Sequence, residues 1–162
     1  YEMKGLNEHH SLELFCWHAF HMSQPSKGYK SMSIGVTRYV RGLPLALKLI
    51  GSNLARRNIE EWRCTLKQYS QVSGDPIHEI LQISYDCLPD DARPIFLDIC
   101  CFFKKERLEF VEDILGACYS GTRFYIEVLA EKSLITIADN GRLLIHDLYN
   151  KWVKRLLTKR HP

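Results

Sequence analysis

No apolar run in this 162-residue chain approaches the roughly 20 residues that a membrane-spanning helix requires, so nothing in the sequence places it across a bilayer. Charge of one sign is also scarce. Lysine and arginine number 22 against 19 acidic residues, and a formal net charge of +3 is too small to argue for a nucleic-acid or membrane partner. The six cysteines, at positions 16, 64, 87, 100, 101 and 118, lack the short paired spacings of a disulfide framework or zinc site and sit mostly inside apolar helical patterns, which favours a reducing setting. Cys16, His18 and His21 lie close together behind His9 and His10, yet their spacing matches no zinc pattern. At the N-terminus there is neither a basic segment leading into an apolar stretch nor an initiating Met, so the chain is expected to be a piece of a longer protein.

Catalytic motifs are missing too. There is no G-x-S-x-G elbow, and buried cysteines at helical spacing read as small hydrophobes rather than nucleophiles. The pairs Asp90 and Asp91, and Glu60 and Glu61, are adjacent residues at predicted helix starts, where acids favour the positive end of the helix dipole. Gly116 and Gly121 imitate the glycine spacing of a phosphate-binding P-loop, but Thr122 and Arg123 stand where its lysine and hydroxyl belong. That segment also follows a helix, whereas a P-loop needs a strand to feed it. It reads as a glycine-bounded turn, and the chain is expected not to be an enzyme.

What is present is a core. A chain that is 46% hydrophobic and 25% charged can fill one or two compact domains at this length. Helical spacing of apolar residues predicts a helix over 8–20 behind the capping residue Asn7, and a second carrying Met32, Val36, Tyr39 and Val40. Gly42 ends the second helix, and Pro44 suits the first turn of a third, whose stripe is Leu43, Ala46, Leu47, Ile50 and Leu54. Gly51 on that helix allows another element to approach closely, and Trp62, Leu66 and Tyr69 mark a fourth helix. The run Ser73, Gly74, Asp75, Pro76 is the strongest break, so a helical bundle is expected over residues 1–73 and a second domain over 74–162.

The second domain reads as helices followed by a hairpin and a last helix, the order of a winged-helix fold. Its helical stripes are Ile77, Ile80, Leu81 and Tyr85, then Ala92 through Phe103, then Leu108, Val111 and Leu115, then Tyr125, Val128 and Leu129. Strands are expected at 134–137 and 142–145 about the turn residues Asp139, Asn140 and Gly141, with a final helix from Asp147. The whole is mainly α: a small helical bundle and a winged-helix domain with one β-hairpin. A winged helix raises DNA binding, but the candidate reading helix, 121–132, balances Arg123 and Lys132 against Glu127 and Glu131. The basic tail of Lys151, Lys154, Arg155, Lys159 and Arg160 reads as a solvated helix face. A ligand is suggested locally only at Ile145, His146 and Asp147, where a strand meets a helix. Asp147 can cap that helix, leaving His146 beside amides and a dipole that attract an anion.

Five segments, in this order, resemble the C-terminal half of the nucleotide-binding (NB-ARC) module of plant NB-LRR disease-resistance proteins: LNEHHSLELFCWHAF (6–20), GLPLA (42–46), ISYDCL (83–88), FLDICCFF (96–103) and IHDL (145–148). The FLDICCFF segment is similar to the TIR-type subgroup. The resemblance implies a regulatory part of an ADP/ATP-dependent switch in an intracellular immune receptor. Pro44 would meet the adenine side of ADP, His146 the β-phosphate, and Asp147 would orient that contact, with Ile145 replacing the family's usual Met. It further implies partners within the same polypeptide, the nucleotide-binding and leucine-rich-repeat domains. Oligomerisation on activation, a hinge near Gly74 and a cytoplasmic location that leaves the nucleus open are also implied. Two alternatives stand beside it: a DNA-binding winged-helix regulator, and a truncated product that does not switch.

Overall fold

A computed structural model describes residues 5–71 and 76–160. The chain divides into two compact units, Tyr1–Ser84 and Tyr85–Pro162. The break expected at 73–74, with the hinge expected at Gly74, lies outside the described residues. The division between the units falls within the last turn of a helix, α5, Pro76–Asp86.

In the first unit, α1 (Glu8–Phe20), α2 (Lys30–Val40), α3 (Pro44–Leu54) and α4 (Ile59–Ser70) match the four predicted helices. Asn7 caps α1 as expected, its side-chain oxygen accepting the His10 amide at 2.8 Å, and His21 closes the helix in the left-handed conformation. α4 opens on a reciprocal capping box between Asn58 and Glu61. The unit is built on α3, where Ala46, Leu47, Leu49, Ile50 and Leu54 are all fully buried. Each of the large aliphatics contributes about 1.5–3 kcal/mol by leaving water. α1 lies directly on α3 because Gly51 has no side chain: a Cβ there would stand 2.9 Å from the Phe15 carbonyl oxygen. Trp62 of α4 plugs the end of this layer, donating from its indole N–H to the Leu54 carbonyl at 2.9 Å and packing on Phe15, Phe20 and Tyr29.

The second unit has the order α6 (Ala92–Phe102), α7 (Leu108–Gly116), α8 (Thr122–Glu131), β1 (Thr136–Ile137), β2 (Leu143–Leu144), α9 (Leu148–Arg160). This is the winged-helix arrangement with a helix after the wing. β1 and β2 pair antiparallel, Thr136 opposite Leu144 and Ile137 opposite Leu143, and Gly141 takes the positive φ of the turn. Arg107 forms a further bridge to Arg142, so the segment before α7 lies along the outer side of β2.

Two expectations need correction. The strands are shorter than 134–137 and 142–145, because the Leu134 and Ile135 amides both point to the Leu129 carbonyl and finish α8 instead of entering the ladder. On α8 the buried side chains are Thr122, Ile126 and Leu129, whereas Tyr125 and Val128 are half-buried. The face is set by polar ends: the Thr122 hydroxyl donates to the Tyr119 carbonyl, and the Tyr125 hydroxyl reaches out to the Asp91 carboxylate at 3.1 Å.

Phe96, fully buried on α6, is the centre of the second unit. Tyr85, Tyr149 and Trp152 surround it with ring centroids 5.9–6.3 Å away. Arg93 secures the start of this unit, donating to the Asp86 carbonyl at 2.7 Å, pairing with Asp90 and lying over the Tyr85 ring.

Candidate functional site

The strand β2 runs out at Leu144, and two residues later the backbone turns into α9. His146 stands at that corner, exposed to solvent. Its backbone carbonyl accepts the Tyr149 amide at 3.0 Å, the Asp147 carbonyl accepts that of Asn150 at 3.1 Å, and the Leu148 amide donates to the His146 ring nitrogen Nδ1 at 3.2 Å. The cap of α9 is therefore His146, not Asp147 as expected, and the Asp147 carboxylate is exposed. The physical reason is register. The cap must reach back to an amide two or three residues on, and the turn aims the imidazole, not the carboxylate, at Leu148.

This cap fixes the chemistry of the ring. A nitrogen that accepts an N–H carries no hydrogen, so the neutral imidazole holds its proton on Nε2, on the side turned away from the helix. The helix end offers an anion fewer backbone donors than the sequence suggests, since the amides of Leu148, Tyr149 and Asn150 are already engaged. The ring adds its own N–H at this exposed corner, a donor suited to a single phosphate or carboxylate oxygen.

Pro44 belongs to the first unit and is half-buried at the first position of α3, as expected. The turn before it is rigid. Arg41 and Gly42 both have positive φ, the Gly42 carbonyl accepts the Leu6 amide at 2.9 Å, and a Cβ on Gly42 would stand 2.3 Å from the Leu6 carbonyl oxygen. Glycine is required at that position both by conformation and by space.

The proposed groove-reading helix has no basic stripe. Arg123, its exposed cation near the N-terminus, is held by Glu127 and Glu112, each at 3.1 Å. Those carboxylates keep the guanidinium charged and shield it from phosphate. Phe124, 60% exposed, occupies the neighbouring position. Among the described residues no group of three or more His, Cys, Asp or Glu side chains comes together as a metal site, and no helix is long and apolar enough to cross a membrane. Lys151, Lys154, Arg155 and Lys159 are exposed on α9.

Two side-chain contacts of the second unit lie outside the sequence reading. The Tyr149 hydroxyl donates to the Ser133 carbonyl at 3.1 Å, across 16 residues, a contact without any short-range signal. Arg93 was legible in part, because its pairing with Asp90 is a helical i, i+3 relation.

Fold and corner together define a helical bundle followed by a winged-helix domain, with an exposed histidine where the wing meets the last helix. The winged-helix domain of Roq1-like disease resistance proteins matches residues 90–157. The chain is 38% identical to disease resistance protein RUN1 of Vitis rotundifolia over its whole length, and 36% identical over 91% of its length to TMV resistance protein N of Nicotiana glutinosa. Disease resistance protein RPV1 of Vitis rotundifolia is 36% identical over the whole chain. The chain spans 12% of the length of RUN1 and 13% of that of the N protein. It belongs to the TIR-type NB-LRR family of resistance proteins, as a C-terminal part of the NB-ARC region.

Proposed function

We propose that this segment is the regulatory half of an ADP/ATP-dependent switch in an intracellular immune receptor, and that His146 is its contact to the nucleotide. The observation that carries the reading is the capped ring: Nδ1 is committed to Leu148, which leaves Nε2–H as an outward donor at a fixed position. ADP held by a nucleotide-binding domain of the same polypeptide would supply a terminal phosphate as the acceptor. The donor set fits this role as a sensor and not as a complete binding site, since one imidazole N–H discriminates the presence of an oxygen but cannot hold a diphosphate. Pro44, rigid at the start of α3, supplies an apolar ring for the adenine side, and Asp147 lies beside the histidine as a second polar contact.

A contact made only in the resting state biases the receptor toward that state by its own free energy, and its loss on exchange to ATP releases the bias. Partners are then the nucleotide-binding and leucine-rich-repeat domains of the same protein, with oligomerisation as the active outcome, in the cytoplasm or nucleus. The segment contributes no catalytic group to this scheme. The alternative of a DNA-binding regulator is disfavoured by the Arg123 pairing, which leaves α8 without the free cations that groove binding needs.

In a full-length receptor containing this chain, His146→Ala or Asp147→Val is expected to give signalling without a pathogen, read as cell death or reporter output after transient expression. Variants that accumulate normally and stay silent would show that His146 has no such role.

A further inference from the structure

The ring of His146 is held by more than its bond to Leu148. The first turn of α9 places Tyr149 against it, the two ring centroids 6.4 Å apart and the planes at 83°. Tyr149 is itself immobilised. It is 1% exposed, its other side meets Phe96 edge-on, and its hydroxyl donates to the Ser133 carbonyl at the end of α8. Ser133 has a φ of 62°, which turns its carbonyl out of the helical direction and makes it available as an acceptor. Burial pushes the Tyr149 phenol well above the usual tyrosine range, so its hydroxyl remains a donor. The backbone closes the arrangement, since the Tyr149 amide donates to the His146 carbonyl.

We propose that Tyr149 is a positioning residue for His146: its ring is the wall that keeps the imidazole in the orientation where Nδ1 accepts from Leu148 and Nε2–H faces outward, and the hydroxyl bond to Ser133 keeps that wall in place. The inference rests on the reading of His146 as the nucleotide contact for its importance, but not for its geometry. An imidazole at an exposed corner with a single hydrogen bond would rotate and exchange tautomers freely. With an immobile aromatic edge beside it, the alternative rotamers lose space. This is the same kind of support by which a histidine metal ligand has its ring orientation and tautomer fixed by a second partner.

The test is the nitrogen NMR spectrum of the His146 ring in the 162-residue chain, assigned by its absence in His146→Ala and recorded where the ring is neutral. The wild type is expected to show one dominant tautomer, protonated on Nε2. Tyr149→Phe keeps the wall but frees it from Ser133, and the spectrum should move part of the way to that of a free imidazole. Tyr149→Leu removes the aromatic wall and should move it further. A merely structural tyrosine would lower the melting temperature in both variants while leaving the ring spectrum unmoved. An unmoved spectrum in the phenylalanine variant overturns the proposal, even if the leucine variant does not fold. The same variants in the full-length receptor separate the two ideas: a freed ring with a silent receptor upholds the positioning and removes the nucleotide role.

Discussion

Each unit contains a cluster of aromatic rings, and the two are put to different use. In the first, Trp62 stands among Phe15, Phe20 and Tyr29, and its indole N–H is spent on the Leu54 carbonyl, so the cluster closes on itself. In the second, Phe96, Tyr85, Trp152 and Tyr149 form a cluster whose last ring abuts an exposed histidine. Helix caps repeat the contrast. Asn58 caps α4 with Glu61 answering in a closed reciprocal pair, whereas the imidazole that caps α9 keeps a second nitrogen outside. Packing that ends in hydrocarbon only stabilises, while packing that ends in a fixed donor can also report.

The largest way to test the contrast is Trp62→Ala. It removes a side chain that is 1% exposed and takes the indole donor from the Leu54 carbonyl, which still accepts the Arg57 amide, and is expected to cost about 3–5 kcal/mol in urea unfolding. A loss under about 1 kcal/mol would mean that this cluster does not hold its unit together.

A smaller effect compares one buried thiol in each unit. Burial raises Cys16 from 9.0 to about 11 and Cys100 from 9.0 to about 12. The unfolded chain loses these protons first, so the stability they contribute is intact below pH 9 and is lost as pH rises towards 11 and 12. At pH 10, one unit above the unfolded value, the loss is on the order of 1 kcal/mol for each thiol. Cys100→Ala should flatten the decline in the second unit's unfolding midpoint between pH 8 and 10. An unchanged slope would show that this thiol is not shielded.

The smallest effect concerns the caps. Asn58→Ala should cost about 1 kcal/mol of stability in the chain. It should leave the resting state of a full-length receptor unchanged, in contrast to His146→Ala. If the asparagine variant also signals without a pathogen, then helix stability, and not the outward ring nitrogen, is what sets the switch.

Much of the fold was legible because the signals were local. Asn7, Pro44, Gly51 and the Asn58–Glu61 pair are short-range devices, and each acts as its residue type suggests. The winged-helix order followed from where the helical period gave way to the turn residues 139–141. The ends of β1 were not legible, because Leu134 and Ile135 are strand formers whose amides a helix carbonyl claims. On α8 the apolar residues at 125, 126, 128 and 129 cover much of the circumference, and the choice of face lay with Thr122 and Tyr125. At the site, sequence located the corner but not the roles within it. His146 and Asp147 are both able to cap, and only the turn decides between them. The support from Ser133 to Tyr149 depends on two segments meeting in space, which no spacing encodes.

Gly42 and Gly51 share a property with wider reach. At each, the space a methyl group would need is already filled by main chain, the Leu6 carbonyl in one case and the Phe15 carbonyl in the other. Side-chain neighbours can be exchanged by compensating changes, but a peptide group cannot be made smaller. A larger residue at either position would therefore have to part the chain segments themselves, and with them shift the seat of Pro44.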